Sequence, residues 1–277
     1  MTTNQHNAFI NAVLEHFNEH ERDLAWRRPD VNGVFNPYFI LVSEIMLQQT
    51  QVKRVAIKYN QFIQTFPNVA RLADADLSEV LAQWSGLGYN RRAKFLHQAA
   101  KMICSDFVGE IPKEITDAVR LPGVGYNTAA AVLTYAYNQK HAYIETNIRS
   151  VYMYHFFINQ DLVNDKDILK VVDKTLDHIE QHDLDFRTWY WALMDYGTFL
   201  KSQGLANNAK SKHYKKQSKF EGSKRQIRGK VVKLLLPGPH DIDYVLGALQ
   251  DERSQQVIDD LQREGIVILE DSVLRLG

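Results

Sequence analysis

The sequence predicts a mostly α-helical protein that closes with a small module of helices and a β-hairpin. Three observations lead there. Apolar residues recur three and four apart along most of the chain, as in Phe9, Ile10, Val13, Leu14 and Phe17, or Ile168, Val171, Val172, Leu176 and Ile179. Breakers fall between these runs, at Pro29, Asn36-Pro37, Pro67, Gly86 and Gly88, Gly109 with Pro112, and Pro122-Gly123. A strand pattern is confined to Gly265-Ile266-Val267-Ile268-Leu269 and Val273-Leu274-Arg275-Leu276, on either side of a Glu270-Asp271-Ser272 turn.

Taken in order, the first helix is the Phe9–Phe17 run. Asn36-Pro37 supplies a cap and a first-turn proline for the next, which the pattern extends to Val52. Leu121-Pro122-Gly123-Val124-Gly125 joins a helix ending near Arg120 to an Ala-rich one from Thr128, and Tyr143-Ile144-Glu145 is a short extended piece leading into another. Large apolar residues nearly vanish between Asn207 and Ser223, which reads as a linker. Beyond it, helices over Gln226–Leu236, Asp241–Leu249 and Arg253–Glu264 precede the hairpin. Three short helices closed by a hairpin are the pattern of a winged helix. Around its third helix, Asp251 to Glu264 holds five acids against Arg253 and Arg263, so groove reading by that helix is not expected.

A length of 277 residues fits one large domain or two moderate ones, and 45% hydrophobic with 24% charged residues is an ordinary globular balance. No run of 18 apolar residues occurs, and Met1–His6 has neither a basic start nor an apolar core, so neither a membrane span nor a signal peptide is expected. The single Cys104 excludes a disulfide framework and any cysteine-ligated zinc or iron–sulfur site within the chain, and fits a reducing cytoplasm. Lys+Arg and Asp+Glu balance at 33 each, yet eleven of the basic residues and only one acid, Glu221, lie between Lys201 and Lys233. Charge alone leaves a polyanion-facing surface and a solvated linker equally open.

Three segments carry chemistry. In the 121–125 turn, two glycines allow a tight bend that leaves backbone N–H groups at a helix start, where a phosphate can sit. Glu44 is the one acid in the apolar helix from Asn36; it shares a face with Ile40 and Leu47, so burial would raise its pKa and make it a general acid. A partly buried Glu paired with an arginine such as Arg27 is the alternative. Glu145 stands immediately before a helix, where an acid is usually a cap. Fixed by helix-start amides it would stay ionised and could face a developing cation. Two acids in opposite protonation states are what glycosidic cleavage requires.

Ser43 to Val52, Trp84-Ser85-Gly86-Leu87-Gly88-Tyr89, the 121–125 turn, Glu145 to Val151 and Ala192-Leu193-Met194-Asp195-Tyr196-Gly197 together resemble the helix-hairpin-helix DNA glycosylases, and among them the MutY-type adenine glycosylases. The resemblance spans roughly Phe9 to Leu200. It implies two helical lobes flanking an active cleft over residues 1–206, followed by a basic linker (207–224) and the winged-helix-like module (225–277). It further implies a monofunctional glycosylase of base excision repair that flips a base, most simply adenine opposite guanine or 8-oxoguanine, out of duplex DNA. Glu44 matches the catalytic acid, Asn147 an active-site asparagine and Arg27 an arginine near the base pocket. Asn127 occupies the position where lyase-type relatives carry a Schiff-base lysine, so water rather than an amine would attack the sugar. The implied DNA contacts are Leu47, Gln48, Gln49, Tyr89, Arg91, Gly123, Gly125 and Arg149; Leu47, Gln49 and Tyr89 match residues that fill the space a flipped base leaves. The partner is lesion-bearing duplex DNA, and the protein is expected to be a nucleoid-associated monomer without a cofactor, with room for a monovalent cation at the hairpin.

The chain departs from the family in three places. Glu145 stands where the family has Asp, the four cysteines expected after Gly197 are absent, and residues 225–277 replace a larger β-rich domain. Relatives with similar motifs excise thymine, uracil or damaged bases, and the Glu145 departure keeps a non-catalytic lesion-binding protein open. Elsewhere, Asn90-Arg91-Arg92 with Lys94 reads as a phosphate contact or a surface cluster. The pairs His16/His20 and His178/His182 read as solvated helix faces rather than metal ligands.

Overall fold

The computed structural model describes residues 3–206, 208–212 and 219–277. Its helices are α1 (Thr3–His20), α2 (Pro37–Leu47), α3 (Val52–Thr65), α4 (Val69–Ala73), α5 (Leu77–Trp84), α6 (Arg91–Asp106), α7 (Ile115–Ala118), α8 (Tyr126–Tyr137), α9 (Thr146–Phe156), α10 (Asp165–Gln181), α11 (Phe186–Ser202), α12 (Lys224–Leu235), α13 (Ile242–Leu249) and α14 (Ser254–Arg263). Three short strands, β1 (His240–Asp241), β2 (Val267–Glu270) and β3 (Val273–Leu276), complete it. No helix among the described residues is long and apolar enough to cross a membrane.

The chain divides into two compact units, each assembled from separated segments. One comprises Met1–Ile40, Lys113–Ile115 and Gly125–Lys216; the other comprises Leu41–Pro112, Thr116–Val124 and Gln217–Gly277. In the first, α11 is the central helix and packs on α1, α8, α9 and α10. Its buried stripe includes Trp189, Tyr190, Leu193 and Leu200. Rings meet within this core: Tyr190 stacks on Tyr143 with centroids 4.3 Å apart, and Phe9 meets Trp189 edge-on at 5.5 Å. Each buried ring of this size contributes about 1.5–3 kcal/mol through the apolar surface it removes from water. The start of the basic stretch belongs to this unit. Val163 and Ser211 form a parallel bridge, Asn208 Nδ2 donates to Ser150 Oγ at 2.5 Å, and Lys210 pairs with Asp161 at 3.5 Å. So 208–212 is stitched to the helices, whereas the centre of the expected linker, 213–218, lies outside the described residues.

In the second unit α6 packs on α4 and α5, and α5 on α3, around Phe62, Phe66 and Trp84. The C-terminal module sets α12 against α13, α14 and β3, and α14 against β2. Its antiparallel sheet has the order β1-β3-β2, with Val267 opposite Leu276 and Glu270 opposite Val273. Asp271 and Ser272 both have positive φ, which lets a two-residue turn follow the right-handed twist of β2 and β3.

The helix expected from Asn36 to Val52 begins as predicted, with Asn36 Oδ1 accepting from the amide of Tyr38 at 3.0 Å. It ends early, at Leu47. The chain turns through Gln49 at φ 55°, and the carbonyls that α2 would otherwise leave unpaired are taken by the guanidinium of Arg92.

Candidate active site

Glu44 lies on α2, half-buried between Ser43 and Ile45, and Ile40 and Leu41 one turn earlier are 2% and 1% exposed. Glu44 is the only charged residue of this otherwise apolar helix. Immediately after the helix, Gln48 donates from Nε2 to the carbonyl of Gly123 at 3.3 Å, tying the end of α2 to the hairpin. Gly123 is required there twice over. Its φ is 78°, and a Cβ on it would lie 2.8 Å from Cβ of Phe95. Gly125 is extended at φ −84°, so the second glycine is not needed for the turn; nothing occupies its Cβ position, and the N terminus of α8 is open there. The expectation that both glycines serve the bend therefore holds for Gly123 alone.

Arg92 organises this region. Nη1 donates to the carbonyls of Ile45 and Met46, each at 2.8 Å, and Gln48 at 2.6 Å. Nη2 donates to Thr50 Oγ1 at 2.9 Å and to the carbonyls of Leu87 and Gly88 at 3.4 and 3.1 Å. One buried guanidinium thus holds two turns, and each turn carries a non-glycine residue at positive φ: Gln49 at 55° and Tyr89 at 50°. Such conformations cost about 1–3 kcal/mol and persist only where surrounding contacts impose them. The reading of Arg92 as a phosphate contact is corrected: burial pushes its pKa down to about 10, still charged at neutral pH, and its two terminal nitrogens are spent on the chain itself. Lys94 is likewise engaged, donating to the carbonyl of Glu264. Arg91 stays exposed, with its guanidinium 5.1 Å from the centre of the Phe95 ring. Gln48, Gln49, Tyr89, Arg91 and Gly123, five of the predicted DNA contacts, line one cavity of about 420 Å³; Leu47 is half-buried at the end of α2.

The remaining predicted residues lie in the other unit. Glu145 occupies the N-cap position of α9 but makes no capping hydrogen bond. The expectation that helix-start amides keep it ionised is therefore corrected: burial pushes its carboxyl above the ordinary range. Asn147 is fixed by α11, its Nδ2 lying 3.3 Å from the carbonyl of Met194 and 3.4 Å from Thr198 Oγ1. Gly197 makes this approach possible, since a Cβ there would sit 2.8 Å from Cβ of Asn147. Asn127 donates from Nδ2 to the carbonyl of Ile144 at 2.7 Å, so it holds the strand-like piece that presents Glu145. Arg149 forms a two-pronged pair with Asp165, Nε–Oδ1 at 2.9 Å and Nη2–Oδ2 at 2.7 Å, which a phosphate would have to share or displace.

Arg27 pairs with Asp195 of α11. It makes a buried fork to Asp195, Nη1–Oδ2 at 2.9 Å and Nη2–Oδ1 at 2.8 Å, and Arg22 adds its backbone amide and Nε to the same carboxylate. Burial opposes ionisation of Asp195, but the hydrogen bonds and charges of Arg27 and Arg22 outweigh it and hold the carboxyl below its usual range. Sequence reasoning quoted Asp195 within a motif without giving it a role. The signal was the same that singled out Glu44: one acid in an apolar helix. It also missed Arg225, Arg228 and Glu264 of the C-terminal module. Arg225 donates from Nη1 to Tyr89 Oη at 2.5 Å, while Arg228 and Glu264 line the cavity beside Gln48.

A cysteine-ligated cluster does not fit these residues. The only cysteine is Cys104, on α6, and the stretch after α11 reads Lys201-Ser202-Gln203-Gly204. Among the described residues no three His, Cys, Asp or Glu side chains converge. His16 packs on Tyr196 and Phe199 with centroids 5.3 and 4.7 Å away, and so is less solvated than its helix position suggested.

Residues 42–178, about half of the chain, match the HhH-GPD superfamily of base excision DNA repair proteins. Curated relatives include an adenine DNA glycosylase of Buchnera aphidicola subsp. Baizongia pistaciae, 39% identical over 62% of this chain and 48% of its own length. One of Mycobacterium tuberculosis is 42% identical over 50% of this chain and 44% of its own, and one of Mus musculus is 36% identical over 52% and 29%. The chain spans about half the length of these relatives, or less. Among solved structures, a thermostable thymine-DNA glycosylase superposes with a TM-score of 0.59 at 25% identity, over 70% of this chain and 86% of that one. A non-covalent endonuclease III–DNA complex shares the fold, with a TM-score of 0.54 at 18% identity over 72% and 86%. The five ordered motifs, the tie between the end of α2 and the Gly123 hairpin and these matches agree: the chain belongs to the HhH-GPD superfamily of base excision DNA repair proteins.

Proposed function

We propose that the protein is a monofunctional DNA N-glycosylase that removes a mispaired base, adenine in the first instance, from duplex DNA. The observation that carries this reading is the succession, along α2 and the turn that follows it, of the one charged side chain of an apolar helix and a strained turn bound to the glycine hairpin. Glu44 donates a proton to a ring nitrogen of the extruded base, so the C1′–N bond breaks with its electron pair leaving on a neutral base. The Glu145 carboxylate stabilises the sugar cation that results. Burial works against Glu145 before the reaction, and the positive charge of the sugar favours its ionised form as the bond breaks, so the interaction strengthens toward the transition state. Asn147, held by α11, keeps an amide next to this carboxylate in sequence. An asparagine at 127 cannot form an imine, so water completes the reaction and leaves an abasic site. The open N terminus of α8 at Gly125 suits a backbone phosphate. The adenine assignment is supported by the names of the relatives, while the thymine-DNA glycosylase neighbour favours, as a second reading, removal of mispaired thymine.

The test is a panel of duplexes carrying A:8-oxoguanine, A:G, T:G, U:G and hypoxanthine, assayed under single turnover with and without alkali. Alkali-dependent cleavage at adenine supports the first reading, and cleavage at thymine alone selects the second. Tight binding without cleavage of any duplex would leave a lesion-binding protein.

A further inference from the structure

We propose that the hollow between α5, α6 and the end of β3 is a binding site for inorganic phosphate or a phosphate monoester, held by His97, Lys101, Arg275 and the first turn of α5. The cavity there has a volume of about 460 Å³, within the usual range of small-molecule sites. It shares no residue with the cavity lined by Gln48 and Tyr89. His97 and Lys101 stand four apart on α6 and so share a face of that helix. Asp76, Leu77 and Ser78 supply the α5 side, and Arg275 comes from β3, where it pairs in register with Ile268. Lys94 fastens the C-terminal module to the same α6 through the carbonyl of Glu264.

Three features of this wall call for an anion that also brings a proton. The first is the start of α5. The Asp76 side chain makes no capping bond, and the amides of Leu77, Ser78 and Glu79 have no partner among the described residues, so they are free to meet a phosphate oxygen. The second is charge. Lys101 is exposed and makes no ion pair among the described residues. Arg275 pairs with Glu270 at 3.3 Å, but both side chains are exposed, and such a pair gives way to a better-placed anion. Asp76 is the one carboxylate side chain in the lining, and it too is exposed. The third is His97, only 5% exposed, whose Nε2 has no hydrogen-bond partner. Burial and the charge of Lys101 hold this imidazole below its usual range, so it is neutral at neutral pH, and the carbonyls of Ala73 and Ala75 accept from the ring. Its one N–H is then on Nδ1, and Nε2 is a buried acceptor that no group of the chain satisfies. Sulfate and an internal phosphodiester offer acceptors alone. A phosphate whose second proton leaves near pH ~6 carries that proton to Nε2, while its charged oxygens face Lys101, Arg275 and the α5 amides.

The experiment is isothermal titration calorimetry of the whole chain with inorganic phosphate at neutral pH and constant ionic strength, with sulfate as the comparison. Saturable binding is expected, with a dissociation constant of about 1 mM or tighter, and sulfate should bind about tenfold more weakly because it has no proton to donate. Lys101→Glu and Arg275→Ala change exposed side chains and leave the core intact; each should weaken phosphate by about fivefold, and together they should abolish saturation. His97→Phe keeps the bulk of the ring and removes Nε2, so it should erase the preference for phosphate over sulfate. Two sources of the phosphate are separated by a duplex with 5′-phosphate ends against the same duplex with 5′-hydroxyl ends. Tighter binding of the phosphorylated duplex by wild type, lost in Lys101→Glu, assigns the site to a strand end; equal binding of the two duplexes assigns it to free phosphate or a small monoester. Absence of saturable phosphate binding, binding unchanged in the Lys101→Glu, Arg275→Ala double variant, or a preference over sulfate that survives His97→Phe overturns the proposal. So does sulfate binding as tight as phosphate, which would reduce the site to a patch of positive charge.

Discussion

Replacing Arg92 with lysine or alanine perturbs the one side chain that spans both turns of the proposed DNA-facing surface. Its two terminal nitrogens carry four N–H groups, shared among the carbonyls of Ile45, Met46, Gln48, Leu87 and Gly88 and the hydroxyl of Thr50. Hydrogen bonds from a charged donor contribute about 1.5–3 kcal/mol each, and a buried acceptor left without a partner costs about 1–3 kcal/mol. The desolvation that lowers the pKa of Arg92 offsets part of this, and water can reach the half-exposed Gln48 and Thr50. Arg92→Ala should therefore cost about 3–5 kcal/mol, the range for removing one member of a buried charged network. Arg92→Lys, with one ammonium that cannot reach both turns, should cost about 2 kcal/mol. Urea unfolding measures this term, and duplex binding measures the consequence for Gln48 and Gln49. Affinity should fall by more than tenfold in Arg92→Lys even where the protein remains fully folded. A lysine variant within about 0.5 kcal/mol of wild type and equal to it in duplex binding would refute the reasoning.

Glu145→Gln removes a charge whose burial opposes ionisation, so it should raise the melting temperature at neutral pH by about 2–4 °C for each kcal/mol recovered, while lowering single-turnover excision by about a hundredfold or more. The sign follows from the raised folded-state pKa: the folded protein binds this proton more tightly than the unfolded chain, so the contribution of Glu145 to stability is greatest in acid and is lost as pH rises through that pKa. Asp195→Asn should act oppositely, costing about 3–5 kcal/mol at pH 7 by leaving Arg27 buried without its anion. The stability supplied by its depressed pKa is present above the unfolded value near 3.9 and disappears as pH falls through the lower folded value, so thermal melts of variant and wild type should converge as the solution is acidified through that value. Asn127→Lys should introduce strand cleavage that borohydride can trap, if the amine reaches the sugar, and should also loosen the Glu145 segment by removing the bond to Ile144.

Much of the fold was legible because its determinants are local. Asn36-Pro37 starts α2, Gly123 turns the hairpin, and the apolar period of α1 and α10 places their buried stripes, each through short-range sterics and burial. What sequence could not place is set by distant partners. The end of α2 depends on an arginine more than forty positions away, and Arg92 was legible in part, since it falls in phase with buried Leu96, Ala99 and Ile103. The fastening of the C-terminal module uses the backbone carbonyl of Glu264, which no residue type announces. Glu145 was identified by its place before α9, but its protonation was misjudged, because the cap hydrogen bond that would hold it ionised is not made.

The central claim is that Glu44 supplies the proton for base release. Its most direct test is the quantity of free adenine liberated from an A:8-oxoguanine duplex under single turnover, measured by mass spectrometry for wild type and Glu44→Gln. Wild type should release adenine stoichiometrically, and Glu44→Gln should do so at a rate lowered by about a hundredfold to ten-thousandfold, with duplex affinity retained within a few fold. Release by Glu44→Gln at a rate near that of wild type would contradict it.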